Sequence, residues 1–169
     1  MGRSGRRLAK LSSPRIHGAV ARERLFAWID SQDATPVIWI VGPAGAGKTT
    51  LVASYLSARK RPPIWYQIDA GDADPSAFFA MLAQALPTTA KRKLPPLPKL
   101  TPEYFLDLPG FARRYFRSFF AQIPGPCTLV FDNHQDAATS VFNTVLREAF
   151  TEMPPGNRAV IISRVPPPP

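Results

Sequence analysis

A chain of 169 residues, 45% apolar and 20% charged, can bury a real core, and its length predicts a single domain. No apolar run approaches the roughly 20 residues that span a bilayer, which excludes a membrane helix and leaves no membrane among the expected partners. The formal net charge of +9 and sequence pI near 10.3 favour anionic partners, either nucleic acid or a nucleotide.

Residues 1–15 are polar and basic, with Arg3, Arg6, Arg7, Lys10 and Arg15, and read as a flexible leader. No apolar stretch follows Arg6-Arg7, so a secretory or twin-arginine signal fails. From Val20 onward, Val20, Leu25, Trp28 and Ile29 fall on one face of a short amphipathic helix. Pro36 then precedes Val37-Ile38-Trp39-Ile40-Val41, whose length, β-branching and lack of alternation predict a strand buried on both faces of a parallel sheet. A glycine-rich loop comes next, and Leu51, Val52, Tyr55 and Leu56 recur after it at helical spacing.

The pattern repeats. Pro63 to Ile68 predicts a second strand ending at Asp69, and Asp74-Pro75 opens a helix with Asp as cap and Pro at the first helical position. Phe78, Phe79, Leu82 and Leu86 form its inward stripe. Residues 87–101 hold four prolines and the basic residues Lys91, Arg92, Lys93 and Lys99, which predicts a loop. Leu108, Phe111, Ala112, Tyr115, Phe116, Phe119, Phe120 and Ile123 mark the next helix, with Arg113, Arg114 and Arg117 on its outer face. Cys127 to Phe131 predicts a third strand, closed by Asp132; the single cysteine reads as a small core residue, and its lack of a disulfide partner suits a cytoplasmic setting. A helix through Val141, Val145, Leu146 and Met153 leads to a fourth strand, Ala159 to Ile162, then Ser163-Arg164 and a closing proline run.

Strands alternating with helices in this way predict an α/β fold, a P-loop NTPase three-layer sandwich over residues 16–169 with a mostly parallel sheet and helices on both faces. Four strands are few for it. The expectation is therefore a core part truncated at its C-terminal side, lacking a helical lid and effector domains.

The chemistry centres on Gly42-Pro43-Ala44-Gly45-Ala46-Gly47-Lys48-Thr49, which satisfies G-x-x-x-x-G-K-[ST] between a predicted strand and a predicted helix. Glycines let backbone N–H groups turn inward around phosphates, and the helix start adds partial positive charge. Lys48 would supply a full charge to the β- and γ-phosphates, and the Thr49 hydroxyl a ligand to Mg²⁺. Asp132, ending a neighbouring strand, is the expected second Mg²⁺ ligand. ATP or ADP with Mg²⁺ is thus the expected cofactor. Asn133 stands where many such ATPases carry the acid that orients the attacking water; Asp136 could substitute, though no spacing demands it.

The order Ser13-Pro14-Arg15, Arg22-Glu23-Arg24-Leu25, Gly42 to Thr50, Trp65 to Asp69, Asp72-Ala73-Asp74-Pro75 and Ile161-Ile162-Ser163-Arg164 resembles the ATPase domain of large transcriptional regulators. These are the signal-transducing STAND-class ATPases, NACHT- and AAA-like, typified by the maltose-regulon activator and its LuxR-type relatives. The resemblance implies a slow regulatory switch that self-associates in the ATP state. It places Arg22 near the adenine, adds Thr50 to the nucleotide-binding loop, makes Arg164 a sensor near the γ-phosphate, and sets the fourth strand between the P-loop strand and the Asp132 strand. DNA would be bound only through domains absent from this chain. Two other readings stay open: a phosphotransferase acting on a small substrate, and a non-catalytic nucleotide- or nucleic-acid-binding fragment.

Overall fold

Four short strands form one all-parallel sheet: β1 (Val37–Val41), β2 (Pro63–Gln67), β3 (Thr128–Asp132) and β4 (Arg158–Ser163), in the spatial order β1-β4-β3-β2. Parallel neighbours cannot be joined by tight turns, so helices carry the crossovers. The computed structural model describes residues 8–16, 18, 20–32, 34–86 and 95–168. Arg3, Arg6 and Arg7 of the first basic cluster, and Lys91, Arg92 and Lys93 of the second, lie outside the described residues.

Alternation along each strand sends side chains to opposite faces, and both faces are covered. Ile38, Trp65, Val130, Val160 and Ile162 face α1 (Glu23–Ser31) and α2 (Lys48–Ala58). Tyr66, Leu129, Phe131 and Ile161 face α3 (Pro75–Ala83), α4 (Leu108–Ala121) and α5 (Ser140–Thr151). The second face is strongly aromatic. Phe78 meets Tyr66 at a ring-centroid distance of 5.3 Å and Phe142 at 5.1 Å, while Phe79 packs on Tyr115 at 4.6 Å. The aromatic stripe of α4 is core, as its periodicity predicts. The fourth strand lies between the P-loop strand and the Asp132 strand, as the resemblance implies.

Two local expectations change. The first helix begins at Glu23, so Val20 lies outside it and is 86% exposed. Its buried residues are Phe26 and Ile29, which settle on Tyr55 and the α2 face, and this rotation leaves Trp28 half exposed. The second half of the expected leader docks: Leu11, in a turn of 3-10 helix at Ala9–Leu11, is buried in the aromatic core against β2.

The outer arginines of α4 are tied down. Arg113 pairs with Glu148 at 3.1 Å, Arg117 with Glu152 at 2.6 Å, and Arg114 lies 4.5 Å from the Tyr104 ring centroid. The described part of the proline-rich loop, residues 95–100, lies on the α3–α4 side, where Gln122 Nε2 donates to the Pro95 carbonyl at 3.0 Å. Among the described residues no helix is long and apolar enough to cross a membrane.

Candidate functional site

Parallel strands bring their carboxyl ends to one edge, and the register sets Val41 beside Ser163 and Gln67 beside Asp132. Crevices at that edge are where open α/β sheets bind ligands. The loop 42–47 leaves β1 there, anchored where the Gly42 N–H donates to the Ser163 carbonyl at 3.3 Å. Gly45 and Gly47 have φ of +77° and +74°, a region that a side chain enters only with strain. Gly47 caps α2 without a side-chain acceptor, so the first-turn N–H groups of Lys48, Thr49 and Thr50 have no capping oxygen. The Lys48 ammonium folds back over the loop and donates to the carbonyls of Gly42 and Pro43 at 2.7 and 2.8 Å. A flexible cation is thereby held against the carbonyls at the start of the loop.

Thr49 and Asp132 meet although 83 positions separate them: the Thr49 hydroxyl lies 3.1 and 3.0 Å from the two carboxylate oxygens. The Asn133 N–H donates to Asp132 Oδ1 at 3.0 Å. Asp132 is buried, and among the described residues no Lys or Arg lies within ion-pair distance of it. Burial pushes its carboxyl above the usual range, against the pull of the Thr49 and Asn133 hydrogen bonds. A hydroxyl beside a carboxylate short of positive charge is a donor set that fits a hard divalent cation.

The same shortage predicts a stability effect. A carboxyl held above its unfolded pKa favours folding fully at pH below the unfolded value, and that contribution is lost as pH rises through the folded value. Asp132→Asn keeps an acceptor for Asn133 and a polar partner for Thr49, yet removes the buried charge. The variant is expected to match wild type near pH 3 and to exceed it by about 0.5–2 kcal/mol at pH 7. Thermal melts across that pH range check it; a less stable variant at pH 7 would contradict this account.

The remaining expected residues surround this centre unevenly. Arg22 reaches the loop, its guanidinium 3.4 Å from the Ala46 carbonyl. Thr50 is exposed on the first turn of α2. Arg164 follows β4 between the loop and Asp132 with an exposed side chain, and its backbone N–H donates to the Gln135 side-chain oxygen at 2.9 Å. Asn133 adopts a left-handed φ of 61°, and Asp136 is exposed and bonded by Gln135 at 3.0 Å. Sequence reasoning missed Gln135, which ties the turn after β3 to the segment after β4. It also missed His134, buried against Trp39 at a centroid distance of 4.8 Å and bonded to Asn143 at 2.8 Å. Burial holds that imidazole below its usual pKa. No spacing in the sequence marks either residue, because their partners lie on β1, α5 and the end of β4.

A cleft of about 380 Å³ opens beside Thr49 and Asp132, walled by Ser13, Arg15, Gln67 and Asn133. A larger cavity of about 720 Å³ lies at the opposite end of the strands, near Pro36, Pro62, Thr128 and Arg158, remote from the glycine loop.

The family described as Nephrocystin 3, N-terminal, matches residues 19–164, which include the loop, Asp132 and Arg164. The HTH-type transcriptional regulator MalT of Vibrio cholerae is 29% identical over 163 residues, covering 95% of this chain and 18% of that protein. The MalT of Vibrio campbellii is 30% identical over 166 residues, with the same two coverages, and that of Cronobacter sakazakii 28% over 169 residues, covering 92% and 17%. The chain thus spans less than a fifth of the length of the curated relatives it matches.

Proposed function

Because the chain belongs to the Nephrocystin 3, N-terminal, family, and is similar to MalT-type regulators over most of its length, we infer that it is the nucleotide-sensing switch domain of a regulator. One observation carries the reading: Thr49 and the charge-starved Asp132 stand together where a glycine loop, crossed by the Lys48 ammonium, leads into the uncapped start of α2. ATP or ADP with Mg²⁺ is the ligand this set fits. Backbone N–H groups of residues 45–49 and Lys48 would hold the β- and γ-phosphates, Thr49 and Asp132 the metal, and Arg22 the side toward the base. Bound Mg²⁺ would neutralise phosphate charge.

Turnover is expected to be slow. Asn133 cannot accept a proton, and its strained turn is occupied in bonding Asp132. Asp136 is exposed and three turn residues further on, with its carboxylate engaged by Gln135. A residence-time switch needs no faster chemistry. Self-association in the ATP state, DNA contact through segments outside this chain and a cytoplasmic setting complete the proposal, by analogy with transcriptional regulators of the MalT type. The part of the proline-rich loop on the α3–α4 side is badly placed for a lid over the loop, which disfavours a phosphotransferase.

Calorimetric titration with ATP and ADP, each with Mg²⁺ and with chelator, tests this. Micromolar binding of both nucleotides is expected, and no heat from either at millimolar concentration would overturn the reading. Asp132→Ala is expected to weaken nucleotide binding less than about tenfold while flattening its dependence on Mg²⁺. An unchanged Mg²⁺ titration curve would count against Asp132 as a metal ligand.

A further inference from the structure

The stretch Leu8–Ile16 lies ahead of the family match and is nonetheless fastened to the domain at three points. Leu11 is 1% exposed in the aromatic core. The Lys10 ammonium lies 2.7 Å from carboxylate oxygens of both Asp69 and Asp72, and 5.2 Å from the centroid of Tyr66. Ile16 packs on the α1–α2 side of the sheet. Between these anchors the chain passes the carboxyl ends of β2 and β3, so Ser13 and Arg15 become a wall of the cleft that holds Thr49 and Asp132.

Further along, Arg22 meets the other end of the glycine loop at Ala46. Arg15 thus stands at the Thr49–Asp132 end of the site and Arg22 at the loop's outer end. Among the described residues Arg15 has no carboxylate partner, although Asp132 shares its cleft. A guanidinium there is matched to a doubly charged tetrahedral oxyanion, which it can bind through paired N–H donors.

We propose that Arg15 is a phosphate-recognition residue supplied in cis, which distinguishes a nucleoside triphosphate from a diphosphate, and that Lys10 is the positioning residue that holds it there. This rests on the nucleotide-site reading above and adds to it, beside the Arg164 expected near the γ-phosphate, a second residue that reads the terminal phosphate. Loss of Arg15 removes a contact that only the triphosphate makes. Loss of Lys10 frees the segment from Asp69 and Asp72, and Arg15 is then no longer fixed at the cleft.

The experiment uses the full chain and two probes, MgADP and the slowly hydrolysed MgATPγS, with affinities from calorimetry. Arg15→Gln, an exposed substitution, is expected to weaken MgATPγS about tenfold and to leave MgADP within about twofold. Lys10→Met is expected to lower the MgATPγS-to-MgADP affinity ratio in the same direction with Arg15 intact, and Lys10→Arg, which can still bridge two carboxylates, to restore it. A merely structural role for Lys10 would weaken both probes alike. Equal weakening of the two probes by Arg15→Gln, or no change in either, overturns the proposal. Binding of neither probe by wild type overturns the underlying site as well, whereas wild-type binding with an unchanged ratio in Arg15→Gln overturns this inference alone.

Discussion

Lys48→Ala is expected to raise the Kd for MgATP by about 100-fold or more, equivalent to about 2.7 kcal/mol, while leaving the fold intact. The ammonium folds back over the start of the loop, held by the carbonyls of Gly42 and Pro43 at 2.7 and 2.8 Å, whereas the Arg22 guanidinium touches only its far end at Ala46. Both contacts sit in a part-buried to exposed setting, so water can replace them in the variant. Thermal stability of the nucleotide-free protein should therefore shift by no more than about 2–4 °C. Loss of affinity with little loss of stability is the signature of a ligand-directed charge. Lys48→Arg should not rescue binding, since a planar fork cannot settle between two carbonyls as a compact ammonium does. Equal MgATP affinity in wild type and Lys48→Ala, measured in one calorimetric series, would sink the assignment of the loop.

Much of this was legible because it is local. The runs at Val37–Val41 and 127–131 are too short and too uniform for surface helices, and both yield strands. β3 is central and buried throughout, whereas β1 stands at the sheet edge with only Ile38 fully buried and Val41 45% exposed, short of the burial on both faces expected for it. Asp74-Pro75 opens α3 as its chemistry requires, with the carboxylate accepting from the Ser76 N–H at 3.0 Å. The loop motif and Asp132 could be named from position, and the parallel sheet brings Thr49 and Asp132 together. What stayed hidden depends on partners distant in sequence. Leu11 is a lone apolar residue in a polar stretch, without periodicity to mark it, and Lys10 looks like one more basic residue until its carboxylates at positions 69 and 72 fold beside it. The first helix misled because Val20 and Trp28 match the spacing of Leu25 and Ile29. Tertiary packing instead chose Phe26, which seats against Tyr55 at a ring-centroid distance of 5.6 Å.

Asp72→Ala is expected to destabilise the protein by about 3–5 kcal/mol, a large share of the 5–15 kcal/mol that holds a domain together. Asp72 is 1% exposed and fully engaged: it accepts from the Tyr66 hydroxyl at 2.6 Å, from the Asp69 N–H at 2.8 Å, and pairs with Lys10 at 2.7 Å. Deleting it strands the Tyr66 phenol inside the aromatic core and the Asp69 N–H, and leaves the Lys10 ammonium with Asp69 as its one remaining carboxylate partner among the described residues. In the wild type, burial first and then the Asp72 carboxylate hold that phenol well above its ordinary pKa; the burial persists in the variant, where the neutral hydroxyl is left without its acceptor. Removing Tyr66's hydroxyl as well should recover part of the cost, because two absent partners are cheaper than one orphan. Urea melts of Asp72→Ala, Tyr66→Phe and the double variant form the cycle, with a coupling of about 1–3 kcal/mol expected. A loss under about 1 kcal/mol for Asp72→Ala would mean the network is slack. Lys10 would then be a weak anchor, and only Leu11 and Ile16 would hold Arg15 at the cleft.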